Sequence, residues 1–241
     1  MNGSHTDSEL LTIARGAAPA TVADVLATMQ RIDTLLPGAD GLKWFNLLYR
    51  MVTKQVDSNP PPGAWQDAAW LTRLDVVFAQ FYFTAISNWL SQSPSTCSSW
   101  KALFEARFRP GIDRIQFALA GMNAHINHDL ALALRQTDAD LDLVPDKASP
   151  EHADFESVNA LLEATLPQAL QFLATGILGE LAQDTGKIGR LLAIWSVREA
   201  RDLAWDFADH LRCLTGIVHD SAVAAQDQLT GALGRSLLLA I

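Results

Sequence analysis

The sequence predicts an all-α fold, a single-domain multi-helix bundle packed around a buried central helix. Three observations predict it. Apolar residues recur at helical spacing between clear start and stop signals along most of the chain. No stretch shows the sustained apolar–polar alternation of a half-buried strand. The run from about Ile112 to Leu134 is apolar on nearly every side, which leaves a helix there no solvent face.

Residues 1–20 read as a flexible N-terminal segment and residues 21–241 as one helical domain. Thr21-Val22-Ala23-Asp24 has the form of a capping box, opening a helix that runs to about Leu36 and stops at Pro37-Gly38. A second helix is predicted from Gly41 to Val56, ended by Ser58-Asn59-Pro60-Pro61-Pro62-Gly63. A helix rich in alanine and aromatic residues follows from about Trp65 to Leu90. A shorter one, Trp100 to Phe108, ends at Pro110-Gly111. The central helix comes next. The acidic stretch Asp138-Ala139-Asp140-Leu141-Asp142 after it lacks the glycine and terminal glutamate of an EF-hand and reads as a solvated loop. Ser149-Pro150-Glu151 reads as an N-cap followed by proline at the first helical position. Helices near Glu151–Ala164, Pro167–Gln183, Gly189–Leu214 and Ser221–Leu239 complete the chain.

Composition narrows the function. At 241 residues, 49% of them hydrophobic, the chain is long enough for one substantial core. A net charge of −9 with no basic cluster argues against nucleic acid and anionic membrane surfaces as partners. The two cysteines, Cys97 and Cys213, lie far apart in no paired spacing, which fits a reducing compartment rather than a disulfide framework. No run reaches the ~18 apolar residues of a membrane span, and the N-terminus has neither a basic leader nor an apolar signal core. A soluble cytoplasmic protein is the expectation.

The chemistry concentrates in Gly121-Met122-Asn123-Ala124-His125-Ile126-Asn127-His128-Asp129-Leu130. Two histidines, two asparagines and an aspartate occupy seven consecutive positions of a helix expected to be buried, and buried polar groups need partners. At about 100° per residue, His125, His128 and Asp129 share an arc of about 100°, with Asn123 and Asn127 opposite. His125 and Asp129 stand one turn apart. That geometry serves a shared metal ion, or a carboxylate orienting an imidazole as a general base, or a purely structural hydrogen-bond network.

Asp75 is the second anomaly, because its neighbours Leu74, Val76, Val77, Phe78 and Ala79 all favour burial. A buried carboxylate must protonate, pair or bind a cation, and Arg73 is badly placed to face it from two positions away. His125, Arg201 or a metal are the candidate partners. Around Arg198–His210, an amphipathic helix places Trp205 on its polar side beside Arg201 and Asp202, suggesting the wall of a polar pocket or a subunit contact. Its Arg198–Asp202 pair has i,i+4 spacing.

Four motifs occur in a specific order: Trp70-Leu71-Thr72-Arg73-Leu74-Asp75-Val76-Val77-Phe78-Ala79, Gly121-Met122-Asn123-Ala124-His125-Ile126-Asn127, Asp154-Phe155-Glu156-Ser157-Val158-Asn159 and Ala200-Arg201-Asp202-Leu203-Ala204-Trp205. On them the chain resembles a mostly bacterial family, domain of unknown function 5995, from about Thr21 to Leu214. The resemblance implies an all-helical single domain whose polar motif residues are Asp75, Asn123, His125, Asn127, Asp129, Asn159, Arg201 and Trp205. It implies no reaction. The family tends to carry an apolar residue at position 128, so His128 departs from its pattern. A looser similarity, through the HxxxD step, is to zinc-dependent phospholipase C and P1-type nucleases. Those enzymes need several more histidines and an N-terminal ligand, whereas this chain has six histidines in all.

The expectation from the residues is an enzyme with a buried acid/base pocket and no cofactor. It would act on an apolar small molecule by cyclisation, isomerisation or dehydration of a natural-product-like substrate. Asp75, His125 and Asp129 would be catalytic, with Asn123, Asn127, Asn159, Arg201, Asp202 and Trp205 lining the pocket. The alternative is a metal-dependent hydrolase of an ester or phosphoester, with zinc or a similar divalent ion on His125, His128 and Asp129. A third reading is a non-catalytic helical binding or scaffold protein, and homo-oligomerisation stays open in all three.

Overall fold

The computed structural model describes residues 2–175 and 196–239, and among them every regular element is helical. The N-terminal segment, expected to be flexible, instead forms α1 (Asn2–Ala14). Leu10 is wholly buried, and the helix packs on the helices of residues 22–35 and 68–90. Its apolar stripe (Leu10, Ile13, Ala14) is too short to stand out against the polar residues before it.

The capping box is present as expected: Thr21 Oγ1 accepts from Asp24 N–H, and the Asp24 carboxylate accepts from Thr21 N–H, opening α2 (Val22–Leu35). Helix α3 (Gly41–Ser58) starts at Asp40, whose carboxylate accepts the Leu42 N–H and also pairs with the buried Arg107 guanidinium. Helix α4 (Ala68–Leu90) is capped by Asp67, and α5 (Ser98–Ala106) follows a short turn. The central element is three pieces on one axis: α6 (Arg114–Ala124), a π-helical turn (His125–Asp129) and α7 (Leu130–Asp140). Then come α8 (Pro150–Thr175), α9 (Val197–Arg212) and α10 (Gly216–Leu237).

Several boundaries differ from the sequence reading for physical reasons. The breaks expected between Ala164 and Pro167 and after Leu134 are absent. Pro167 rides inside α8 on an exposed face, and the central helix continues to Asp140. The Asp138–Asp142 stretch is an exposed turn only at Leu141 and Asp142; Asp138 to Asp140 are the last turn of α7. Asp138 is buried, accepts the Trp70 indole N–H at 3.0 Å and pairs with Arg212, while Asp140 pairs with Arg73. The predicted stretches 176–183 and 189–195 lie outside the described residues.

The central element lies in the core, wrapped on its α6 half by α3, α5, α8 and α10 and on its α7 half by α4 and α9. Close approach is bought with glycine at two points on one interface. A Cβ on Gly41 would sit 2.3 Å from the Phe117 ring, and one on Gly121 would sit 2.3 Å from the Phe45 ring. Phe45 in turn contacts the rings of Tyr82, Trp100 and His125, so the α3–α6 spacing sets the packing around the polar cluster. Gly121→Ala is therefore expected to destabilise the protein by about 1–3 kcal/mol despite alanine's better helix propensity. Urea unfolding checks this, and a neutral or stabilising result would contradict the tight α3–α6 contact.

Candidate active site

The π turn is the local event that builds the site. Its defining bond runs from Leu130 N–H to the His125 carbonyl, one residue wider than an α-helical bond. In this turn the Asp129 carboxylate sits between two imidazoles. His125 Nδ1 meets Oδ2 at 2.9 Å, His128 Nδ1 meets Oδ1 at 2.8 Å, and the Trp100 indole donates to Oδ2 at 2.8 Å. Burial alone would raise the Asp129 pKa, but the two histidine hydrogen bonds outweigh it and hold the carboxyl below its usual range. Asp129 is an ionised carboxylate in the core.

The two histidines respond differently. Burial dominates at His125 and lowers its pKa, with Asp129 offsetting only part of the effect. His125 is therefore neutral near neutral pH, with its proton on Nδ1 facing Asp129 and a lone pair on Nε2. That Nε2 is buried and has no hydrogen-bond partner among the described residues. At His128 burial also lowers the pKa, but the hydrogen bond and charge of Asp129, with the charge of Asp227, raise it overall.

The His125 ring lines a cavity of about 70 Å³ shared with Phe45, Tyr49, Asp75, Phe78 and Arg201. Phe78 stacks on the imidazole at 3.5 Å, nearly parallel, and Tyr49 meets it edge-on at 4.5 Å. Leu48, Val52, Thr53, Val56, Met122, Ile126, Val158, Leu162 and Val197 complete mostly apolar walls. Asp75, half-buried, has no hydrogen bond or close ion pair among the described residues. Desolvation pushes its pKa up to about 7, against the pull of Arg201 and with the charge of Asp57 adding to the rise. Arg201 is buried and lowered to about 10 by desolvation, so it remains a cation at neutral pH. Asn159 holds its Nε, and its guanidinium lies 4.1 Å over the Phe155 ring.

The structure thus brings Asp75, His125, Asp129 and Arg201 to one place. It does not place the other expected pocket residues on the cavity. Asn127 donates to Asn123 Oδ1, and Asn123 donates to the Thr230 carbonyl, so both asparagines serve the α10 contact. Asn159 and Asp202 hydrogen-bond to each other behind Arg201. Trp205 is not on a polar face: it is buried against Trp70, His152 and Phe155, because α8 covers the side of α9 that the sequence leaves looking exposed. Arg198 pairs with Glu156 and Glu163 of α8. The alternative ligand set of His125, His128 and Asp129 is a hydrogen-bonded chain, its carboxylate standing between the two rings.

Sequence reasoning missed Tyr49, Phe78 and Trp100 as contacts of the cluster, because each reads as ordinary core at helical spacing. Their signal was the aromatic load itself, with seven tryptophans and ten phenylalanines in one chain. Cys97 is not a ready nucleophile. Burial and the nearby Asp129 charge push its thiol up to about 11.

Fold and site together define an all-helical protein with an ionised carboxylate and a neutral imidazole buried beside an apolar cavity. The chain belongs to the family of unknown function DUF5995, whose model matches residues 22–240. No curated protein and no solved structure matches it. Among the described residues no helix is long and apolar enough to cross a membrane.

Asp75 gives the site a measurable pH signature. Its folded pKa of about 7 exceeds the ordinary 3.8, so the folded state binds more protons between those values. The carboxyl therefore costs stability progressively as pH rises from 3.8 to about 7, and no further above. Relative to the unsubstituted protein, Asp75→Asn should gain stability across that window, by on the order of 2–4 kcal/mol at its end. Urea unfolding across the pH range reads this directly, and parallel stability curves would contradict a protonated, desolvated Asp75.

Proposed function

We propose that the protein is a metal-independent acid/base catalyst acting on a small, largely apolar molecule, with the reaction centred on His125. The observation that carries this reading is the unpartnered Nε2 of a neutral His125 whose Nδ1 is anchored to buried Asp129. Other buried polar atoms, such as Trp205 Nε1 and Thr137 Oγ1, also lack a partner among the described residues, but of these residues only His125 lines the cavity. A buried acceptor without a partner costs on the order of 1–3 kcal/mol and calls for an explanation. A base waiting for a substrate proton supplies one.

The roles follow from chemistry. His125 Nε2 removes a proton, and the imidazolium that forms is stabilised by Asp129, which also fixes the ring and its tautomer. Asp75, with a pKa near neutrality, returns a proton at a second position. Arg201 offers a positive charge to an oxyanion or carboxylate. An acid and a base acting at two positions suit isomerisation, dehydration or cyclisation. Pockets for drug-sized ligands run to about 300–1,000 Å³. The cavity of about 70 Å³ therefore takes the reacting end of a molecule rather than a whole natural-product skeleton. Nε2 is closed to solvent, so a substrate reaches it as Tyr49 or Phe78, which cover the ring, turns aside.

One observation favours a second reading, a non-catalytic helical protein: Asp129 is fully engaged by Trp100 and both histidines, as a network that only specifies packing would be. Solvent-deuterium exchange separates the two. Small apolar ketones, enones and their carboxylate analogues are incubated with the protein in D2O and read by mass spectrometry. The proposal expects site-selective deuterium uptake by at least one compound, falling by about 100-fold or more in His125→Gln, whose circular dichroism stays unchanged. No uptake from any compound, or uptake equal in the variant, would favour the packing network.

A further inference from the structure

A second group of polar residues lies on the far side of the Asp129 network and shares no residue with the cavity. Cys97 at the start of α5, His128 in the π turn and Asp227 on α10 each direct one donor atom inward, and all three atoms lie within 4.8 Å of one another. We propose that Cys97, His128 and Asp227 form a binding site for one divalent transition-metal ion of the zinc class, with a fourth position filled by water. This inference goes beyond the acid/base reading and does not depend on it.

Two independent observations point to a ligand. The first is the donor set: thiol, imidazole and carboxylate is the mixture that zinc and its chemical neighbours take, and that calcium and magnesium do not. Zinc bonds of roughly 2.0–2.3 Å in a tetrahedron put neighbouring donors roughly 3.3–3.8 Å apart. His128 Nε2 and Asp227 Oδ1 are already 3.8 Å apart. The second is His128 itself. Its side chain is 9% exposed, and among the described residues its Nε2 has no hydrogen-bond partner, Asp227 Oδ1 standing 3.8 Å away. Its other nitrogen is held by Asp129 Oδ1 at 2.8 Å. A carboxylate on Nδ1 with Nε2 free is the arrangement that fixes a metal-binding histidine in the ligating tautomer.

Asp227 has a structural duty as well, because its two oxygens accept the Ser98 and Ser99 N–H groups at the start of α5. That duty leaves lone pairs on each oxygen for a cation, and it explains neither Cys97 nor His128. Cys97 and Asp227 are only partly buried, which gives the ion a way in. As the ion binds, the Sγ–H bond breaks, the proton passes to the buffer, and an Sγ–metal bond forms. The site would tie α10 to α5 where the two already touch closely, with Gly231 against Ser98.

The test uses the full chain, reduced and freed of metal, titrated with cobalt(II) and then with zinc. The expected result is one cobalt per chain with a near-ultraviolet thiolate-to-cobalt absorption, displaced by one equivalent of zinc. Zinc should also raise the melting temperature. Cys97→Ser should lose the absorption, and Cys97→Ser and His128→Gln should each bind at least about tenfold more weakly. Cys213→Ser should behave as the unsubstituted protein does. Absence of stoichiometric binding by the unsubstituted protein would overturn the proposal without reference to any variant. So would an absorption that survives in Cys97→Ser.

Discussion

An ionised carboxylate in the centre of the bundle is the constraint on which the rest of this structure depends. Placing a charge like that of Asp129 in the core costs several kcal/mol unless its lone pairs are filled. Here they are filled by three donors, the Trp100 indole and the Nδ1 atoms of His125 and His128. Each hydrogen bond to a charged group is worth about 1.5–3 kcal/mol, so together they are comparable with the desolvation they offset. The bonds also position elements. Trp100 fixes α5 against the central helix, and the π turn lets both histidines from one helix serve the same carboxylate.

From that carboxylate the site follows. Asp129 dictates that the His125 proton sits on Nδ1, which leaves Nε2 as a base. Phe78 and Tyr49 keep the ring desolvated, and desolvation keeps it neutral. Across the cavity the same dryness acts on Asp75 in the opposite chemical sense, raising an acid where it lowers a base. Arg201 partly offsets that rise but does not cancel it, because no close ion pair joins the two. One apolar cavity therefore holds a weakened base and a weakened acid, the acid with a pKa of about 7.

Much of this was legible in the sequence, and what was not has identifiable causes. Helical class, the Thr21–Asp24 capping box, the buried central helix and the association of His125, Asp129 and Asp75 all follow from local pattern and from polar residues in apolar runs. The π turn was invisible because it changes spacing by one residue without a composition signal. Asn123 and Asn127 carry the same polar-in-core signature as His125, yet they serve α10, and only tertiary contact tells the two uses apart. Trp205 looked exposed because α9 is strongly amphipathic, whereas α8 covers the intermediate face. Asp138 was hidden in an acidic run although it is the buried partner of Trp70 and Arg212.

Nitrogen-15 NMR of the imidazoles, followed through a pH titration, tests the central claim most directly. The account predicts that His125 is neutral at neutral pH, carries its proton on Nδ1, and takes a second proton only at a pH below that of an ordinary histidine. His128, on the same carboxylate, should take up its second proton at a higher pH than an ordinary histidine. A cationic His125 at neutral pH, or a neutral one protonated on Nε2, would contradict the account, because the carboxylate would then not be holding the base ready.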